Sequence, residues 1–143
     1  MFTKEESSKI RTLFWTSFGK SFPRKWLLYN TRIKNFAFKF VADRRQALVC
    51  LDIDPKNEEL KLHYYNKLLS LKNILETQFI EKIIYEDDYV LDNGKSICRI
   101  YVQFTEKFSI HNKNTWSDCY QFFIKNMEQF ELFFEEYEDY IRS

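Results

Sequence analysis

An apolar stripe near the end of the chain constrains the fold more than any other feature of the sequence. Its eight members are separated alternately by four and three residues: Trp116, Tyr120, Phe123, Met127, Phe130, Phe134, Tyr137 and Ile141. This period predicts an amphipathic helix of about 26 residues, with Asn114 as its N-cap. Ile124, Leu132 and Phe133 make the apolar face wider than a coiled-coil seam. We therefore expect the helix to lie across a sheet rather than against one partner helix.

Two β-hairpins are predicted upstream of this helix. Phe36, Phe38 and Phe40 alternate on one face of a first strand, and the apolar residues of 47–53 alternate on the next strand, after a turn at Asp43-Arg44-Arg45. Residues 80–90 and 96–104 flank the turn sequence Asp92-Asn93-Gly94 and form the second hairpin.

Two further helices are predicted from their caps and apolar spacing. Thr3 to Glu6 fits a capping box, which begins a helix over about residues 4–19 that Gly19 can end. Asp54 and Pro55 suit the N-cap and first position of a second helix over about 55–77. Five residues are expected to form its buried stripe: Leu60, Tyr64, Leu68, Leu71 and Leu75.

The elements therefore follow the order helix, hairpin, helix, hairpin, helix. This order predicts the α+β class, with about four mostly antiparallel strands packed against three helices. No linker, repeat or low-complexity tract interrupts the sequence, so we expect residues 1–143 to form a single domain.

Composition argues against several classes of site. The two glycines, Gly19 and Gly94, are too far apart for a Walker A loop or a dinucleotide fingerprint. The three cysteines and two histidines lack the short spacing of a zinc motif, so no metal and no cofactor are expected. The odd cysteine count and the absence of a signal peptide favour the cytoplasm. No apolar run approaches the roughly 18 residues of a membrane helix, so no membrane partner is expected.

Charge is distributed unevenly along the chain. Residues 9–45 hold ten basic side chains and one acid, a net charge of +9, whereas residues 126–143 hold six acids and one arginine, a net charge of −5. A basic stretch interleaved with Trp26, Tyr29 and Phe36 can contact phosphates and stack on bases. The candidate nucleic-acid contacts are Arg24, Lys25, Arg32, Lys34, Arg44 and Arg45. The alternative is that the basic segment packs beside the acidic last helix or forms a solvated face.

A metal-dependent nuclease is a further alternative. Asp54-Pro55-Lys56 matches part of the restriction-endonuclease signature, with Asp43 as a candidate upstream acid. At about 3.4 Å per residue, the strand between the two acids separates them by roughly 24 Å, too far to share one Mg²⁺. Asp52 with Asp54, and the cluster Glu86 to Asp88, are more simply explained as solvated strand ends. No cysteine and histidine form a local nucleophile–base signature, so no catalytic residue is expected.

Five segments together carry a resemblance to a known family: Phe14 to Gly19, Trp26 to Lys34, Phe38 to Ile53, Asn93 to Tyr101 and Asn112 to Trp116. They resemble a domain-of-unknown-function family that is common in Bacteroidetes. In longer members a similar domain follows a restriction-endonuclease-like domain. The resemblance implies a bacterial protein that acts close to nucleic acid, with no catalytic residue that can be transferred.

The sequence thus favours a non-catalytic binding module, whose partner is nucleic acid or a nucleic-acid enzyme. A metal-dependent nuclease-like enzyme and a protein-interaction or homo-oligomerisation domain remain the alternatives. The sequence leaves the oligomeric state open.

Overall fold

The computed structural model describes residues 2–80 and 82–143. Four strands form one antiparallel sheet in the order β1-β2-β4-β3: Phe36–Ala42 (β1), Ala47–Ile53 (β2), Ile84–Val90 (β3) and Ser96–Gln103 (β4). The α-helices are Lys4–Ser21 (α1), Glu58–Ser70 (α2), the short Lys72–Ile74 (α3) and Trp116–Arg142 (α4). The α+β class and the four antiparallel strands are confirmed. None of the helices in the described ranges is long and apolar enough to cross a bilayer.

The helix predicted over 55–77 is divided, so the prediction of three helices is wrong. Asn57, not Asp54, is the N-cap, because its side chain accepts a hydrogen bond from the Leu60 N–H at 3.0 Å. Leu71 leaves the helical conformation with φ −98° and ψ 7°, which separates α2 from α3 and the following π-helical turn Leu75–Phe79. Asp54 instead pairs with Lys95 at 2.6 Å.

The predictions for the other two helices are largely correct. Thr3 Oγ1 accepts from the Glu6 N–H at 3.1 Å and begins α1 as predicted. The prediction of Asn114 as the cap of α4 is wrong, because a 3₁₀ turn over Lys113–Thr115 precedes that helix and Asn112 caps this turn. Of the eight stripe residues on α4, seven are buried and Tyr137 is half-buried.

Aromatic side chains join the helices to one face of the sheet, here called the inner face. Three pairs of ring centroids link β1 to the three long helices: Phe18 to Phe40 at 5.2 Å, Phe36 to Tyr64 at 5.7 Å, and Phe38 to Phe130 at 5.6 Å. On the opposite, outer face a small separate cluster of Leu48, Cys50 and Tyr101 is packed by the strand residues Val41 and Tyr89. In the part of the chain that the structure describes, side chains of the strands themselves therefore cover this cluster on the outer face.

Candidate functional site

The six basic residues that the sequence predicts as one surface lie in three places. Arg24, Lys25 and Arg32 belong to the loop 22–35, which packs beside the second half of α4. Lys34 follows in a small depression beside β1 and the end of β2. Arg44 and Arg45 form the turn between β1 and β2.

The charge of Arg24 is neutralised by α4. Its Nη1 and Nη2 atoms lie 2.8 Å from Glu128 Oε1 and 2.7 Å from Glu131 Oε1. Its guanidinium also stacks on the Trp26 ring, 4.1 Å from the centroid. The second oxygen of Glu131 accepts from the Leu27 N–H at 2.6 Å, so the same carboxylate fixes the loop. Arg24 thus follows the alternative reading, in which basic residues pack against the acidic helix.

The next three predicted residues lie among charges of both signs. Lys25 and Arg32 line a depression of about 860 Å³ whose other wall carries Glu135 and Glu138. Lys34 lines a depression of about 250 Å³ that also contains Asp52 and Asp54. Mixed charge of this kind gives little net attraction for a polyanion.

The three aromatic residues that the sequence predicts to stack on bases, all within the basic segment 9–45, also lie in different surroundings. Trp26 is covered by Arg24, and Phe36 is buried in the core. Tyr29 is 77% exposed, but it lies in the depression next to the acidic face of α4. The structure therefore places one exposed ring, that of Tyr29, beside Lys25 and Arg32, and carboxylates of α4 line the same depression.

Arg44 and Arg45 lie in a groove that the first half of α1 completes. The groove, here called the basic groove, has a volume of about 970 Å³. Its polar lining residues are Lys4, Ser7, Ser8, Arg11, Asp43, Arg44, Arg45, Gln46, Asp92 and His111. The four lysine and arginine side chains outnumber the two carboxylates, and all four of these basic residues are exposed.

The position of α1 brings Lys4 and Arg11 to this turn. Phe14 is completely buried and packs edge-on against Trp116, with ring centroids 5.2 Å apart, which docks the helix on the core. The turn is fixed from the other side, because the Ile110 N–H donates to the Asp43 carbonyl at 3.1 Å. Sequence reasoning missed Lys4 and Arg11 as site residues, since only the tertiary packing places them beside residues 44 and 45.

None of the four basic side chains of the groove forms a salt bridge with another described residue. The neighbouring Asp43 directs one carboxylate oxygen to the backbone N–H groups of Arg45 and Gln46, at 2.8 and 3.0 Å. That carboxylate therefore stabilises the turn. The groove retains positive charge that is available to a ligand.

Two of the aspartates that the sequence offers as metal ligands form ion pairs with basic side chains. Asp52 is held by Arg99 through two hydrogen bonds of 2.7 and 2.9 Å and by Lys39 at 3.3 Å. Asp54 is paired with Lys95. Within residues 2–80 and 82–143, no group of three or more His, Cys, Asp or Glu side chains is arranged to hold a metal ion.

The three thiols are buried and neutral at ordinary pH. Burial raises the pKa of Cys98 to about 11 and that of Cys119 to about 12. Burial also raises the pKa of Cys50, against the opposing effect of Arg99. None of them has the lowered pKa of an activated cysteine nucleophile.

A family model described as a domain of unknown function (DUF4268) matches residues 10–138. The resemblance drawn from the sequence segments is confirmed at this level. No match was found among curated proteins or among solved structures.

Proposed function

We propose that this chain, which belongs to the DUF4268 family of domains of unknown function, is a binding module whose basic groove holds the phosphate backbone of nucleic acid. The observation that carries the proposal is the convergence of Lys4, Arg11 and the Arg44-Arg45 pair without salt-bridge partners among the described residues. Ammonium and guanidinium groups are the usual donors to phosphate oxygens, and arginine binds them in a bidentate manner.

The groove also contains neutral donors suited to a phosphate backbone. Ser7 and Ser8 lie on the first turns of α1 between Lys4 and Arg11, and Gln46 follows the turn. Hydroxyl and amide groups commonly contact phosphate and sugar beside basic residues. Such contacts position the backbone and carry no sequence information, so we expect binding to depend on charge rather than on base sequence.

The wider resemblance agrees with this function. A domain that holds a nucleic-acid backbone would serve a restriction-endonuclease-like domain on the same chain in longer, bacterial relatives. We therefore propose that the domain acts beside such an enzyme. A nucleic-acid enzyme is then its second partner, besides nucleic acid itself.

The salt dependence of binding tests the proposal. A fluorescein-labelled duplex of about 20 base pairs should bind in low salt, and four phosphate contacts should give a slope of log K against log salt of about −3.6. Replacing both Arg44 and Arg45 with Ala should make the slope about 1.8 units shallower and weaken binding equally for unrelated sequences.

Lys56→Glu is the charge-matched control, because it changes the net charge by the same two units and Lys56 is exposed and lines none of the depressions described above. It should leave affinity and slope close to those of the unmodified protein. The proposal fails if micromolar protein binds neither duplex nor single strand at low salt. It also fails if the Arg44 and Arg45 double variant binds as well as the control.

A further inference from the structure

A second groove adjoins the basic groove at Arg45, which lines both. Its volume is about 930 Å³, and we call it the amide groove because four carboxamide side chains line it: Gln103, Gln121, Asn126 and Gln129. Three of them lie on α4 and one lies at the end of β4. The groove also contains the rings of Phe79, Phe104 and Phe122.

The carboxamides are available for a ligand. No hydrogen bond to a described residue engages the side chains of Gln103, Gln121 or Gln129, and all three are exposed or half-buried. Asn126 donates from Nδ2 to the Phe122 carbonyl at 2.9 Å, which leaves its oxygen free to accept. A carboxamide offers a donor and an acceptor side by side, and this pair matches the hydrogen-bonding edge of a nucleobase.

The aromatic rings complete this chemistry. Phe104 and Phe122 are half-buried, with centroids 5.1 Å apart, so part of each ring borders the groove. Aromatic side chains bind unpaired bases by stacking, with little dependence on base identity. In a duplex the base faces are covered by neighbouring base pairs, and the pairing edges are occupied. A site that combines rings with carboxamides therefore suits an unpaired base.

The charges of the amide groove are mixed. Lys82 and Lys125 are balanced by Glu106 and Asp118, with Arg45 at the junction. This pattern is unsuited to a row of phosphates, but carboxylates can accept hydrogen bonds from the amino groups of bases. The division of charge thus assigns phosphates to the basic groove and bases to the amide groove.

We infer that the ligand of this domain is single-stranded nucleic acid, whose phosphates lie in the basic groove and whose unpaired bases lie in the amide groove. The inference rests on the function proposed above. Arg45 stands at the point where the backbone passes from one groove to the other.

Three fluorescein-labelled probes of equal length test the inference: a mixed-sequence single strand of about 15 nucleotides, its duplex, and an abasic strand. Stacking of one or two bases should make the single strand bind at least about tenfold more tightly than either of the others at the same salt concentration. The double variant Gln121→Ala, Gln129→Ala should lower affinity for the single strand about tenfold, towards that of the abasic strand. It should leave binding of the abasic strand unchanged.

The double variant Asn66→Ala, Asn73→Ala is the matched control, because both residues are exposed carboxamides that line neither groove. It should leave the affinity for all three probes unchanged. Equal affinity for all three probes would overturn the inference and leave the proposed backbone contact standing. Loss of binding to the abasic strand in the Gln121 and Gln129 variant would also overturn it, because base contacts cannot act on that probe. Failure of every probe to bind would remove the proposed function itself.

Discussion

The ion pair between Asp52 and Arg99 gives the sharpest stability prediction, because it is buried on the outer face of the sheet. Asp52 is 3% exposed and Arg99 is 5% exposed, and two hydrogen bonds of 2.7 and 2.9 Å join the carboxylate to Nε and Nη2. The guanidinium also lies 4.3 Å from the centroid of the Tyr89 ring. Arg99→Met should preserve most of the side-chain volume and remove the partner of the buried carboxylate.

The expected loss of unfolding free energy is about 3 kcal/mol. Removing one partner of a buried ion pair typically costs about 3–5 kcal/mol, and the lower end applies because Lys39 still lies 3.3 Å from Asp52. Urea denaturation followed by circular dichroism should show the lower midpoint with an unchanged m-value.

The double variant Asp52→Leu, Arg99→Met provides the control. It leaves no buried charge on this face, so it should recover most of the stability that Arg99→Met loses. A cost below about 1 kcal/mol for Arg99→Met would show that the pair is solvated and refute the reasoning. A double variant less stable than Arg99→Met would refute it as well.

Further predictions concern the core and the thiols. Phe123→Ala should cost about 3–5 kcal/mol in a urea melt of dilute protein, since Phe123 is fully buried beside five aromatic neighbours. Glu136→Ala on the exposed side of α4 should change stability by less than about 0.5 kcal/mol. Burial raises the pKa of Cys98 from 9.0 to about 11 and that of Cys119 to about 12, so the stability they contribute is complete below about pH 9 and declines as pH rises through these values. Urea midpoints between pH 8 and 11 should fall less steeply in Cys119→Ala, and an unchanged slope would contradict the assignment. A thiol reagent at pH 8 should modify the cysteines only after unfolding, and rapid labelling of the native protein would contradict their burial.

Elements with a regular period could be predicted from the sequence, since their side chains alternate or repeat against one continuous core. The inner-face residues Val49 and Leu51 and the outward residues Leu48 and Cys50 on β2 follow the strand alternation as expected. Cap positions were harder to predict when two local signals competed. Asp54 and Pro55 favour the start of a helix as strongly as Asn57 does. The Asp54 carboxylate instead forms an ion pair with Lys95, which lies some forty positions later in the chain.

The buried stripe at the start of α2 shows a second limit. The pattern favours Leu60, which is 43% exposed, whereas the neighbouring Lys61 is 7% exposed. A lysine can bury its aliphatic stem while its ammonium stays paired, and Nζ of Lys61 lies 3.2 Å from Glu58. A prediction based on residue type alone therefore begins the buried stripe of α2 at Leu60, one position before the buried Lys61.

The candidate site could be predicted only in part, because nearness along the chain does not determine which charges are neutralised. Arg24 meets Glu128 and Glu131, more than a hundred positions away, while Arg44 and Arg45 meet α1. No local pattern distinguishes these two outcomes within one basic stretch. The amide groove was missed for a related reason, since its members come from β4, α4 and the segment between α3 and β3.

Packing against the acidic helix describes Arg24, whereas contact with nucleic acid stays a prediction for Arg44 and Arg45. The acidic helix neutralises Arg24, and Glu138 of the same helix pairs with Arg142 at 3.3 Å, which reduces the field at that side of the molecule. Paired opposite charges contribute little to the electrostatic potential far from the protein. Long-range attraction of a polyanion therefore depends on the basic groups that have no salt-bridge partner. Since α1 brings Lys4 and Arg11 to Arg44 and Arg45 at the β1–β2 turn, we expect the basic groove to attract a polyanion more strongly than the surface beside α4 does.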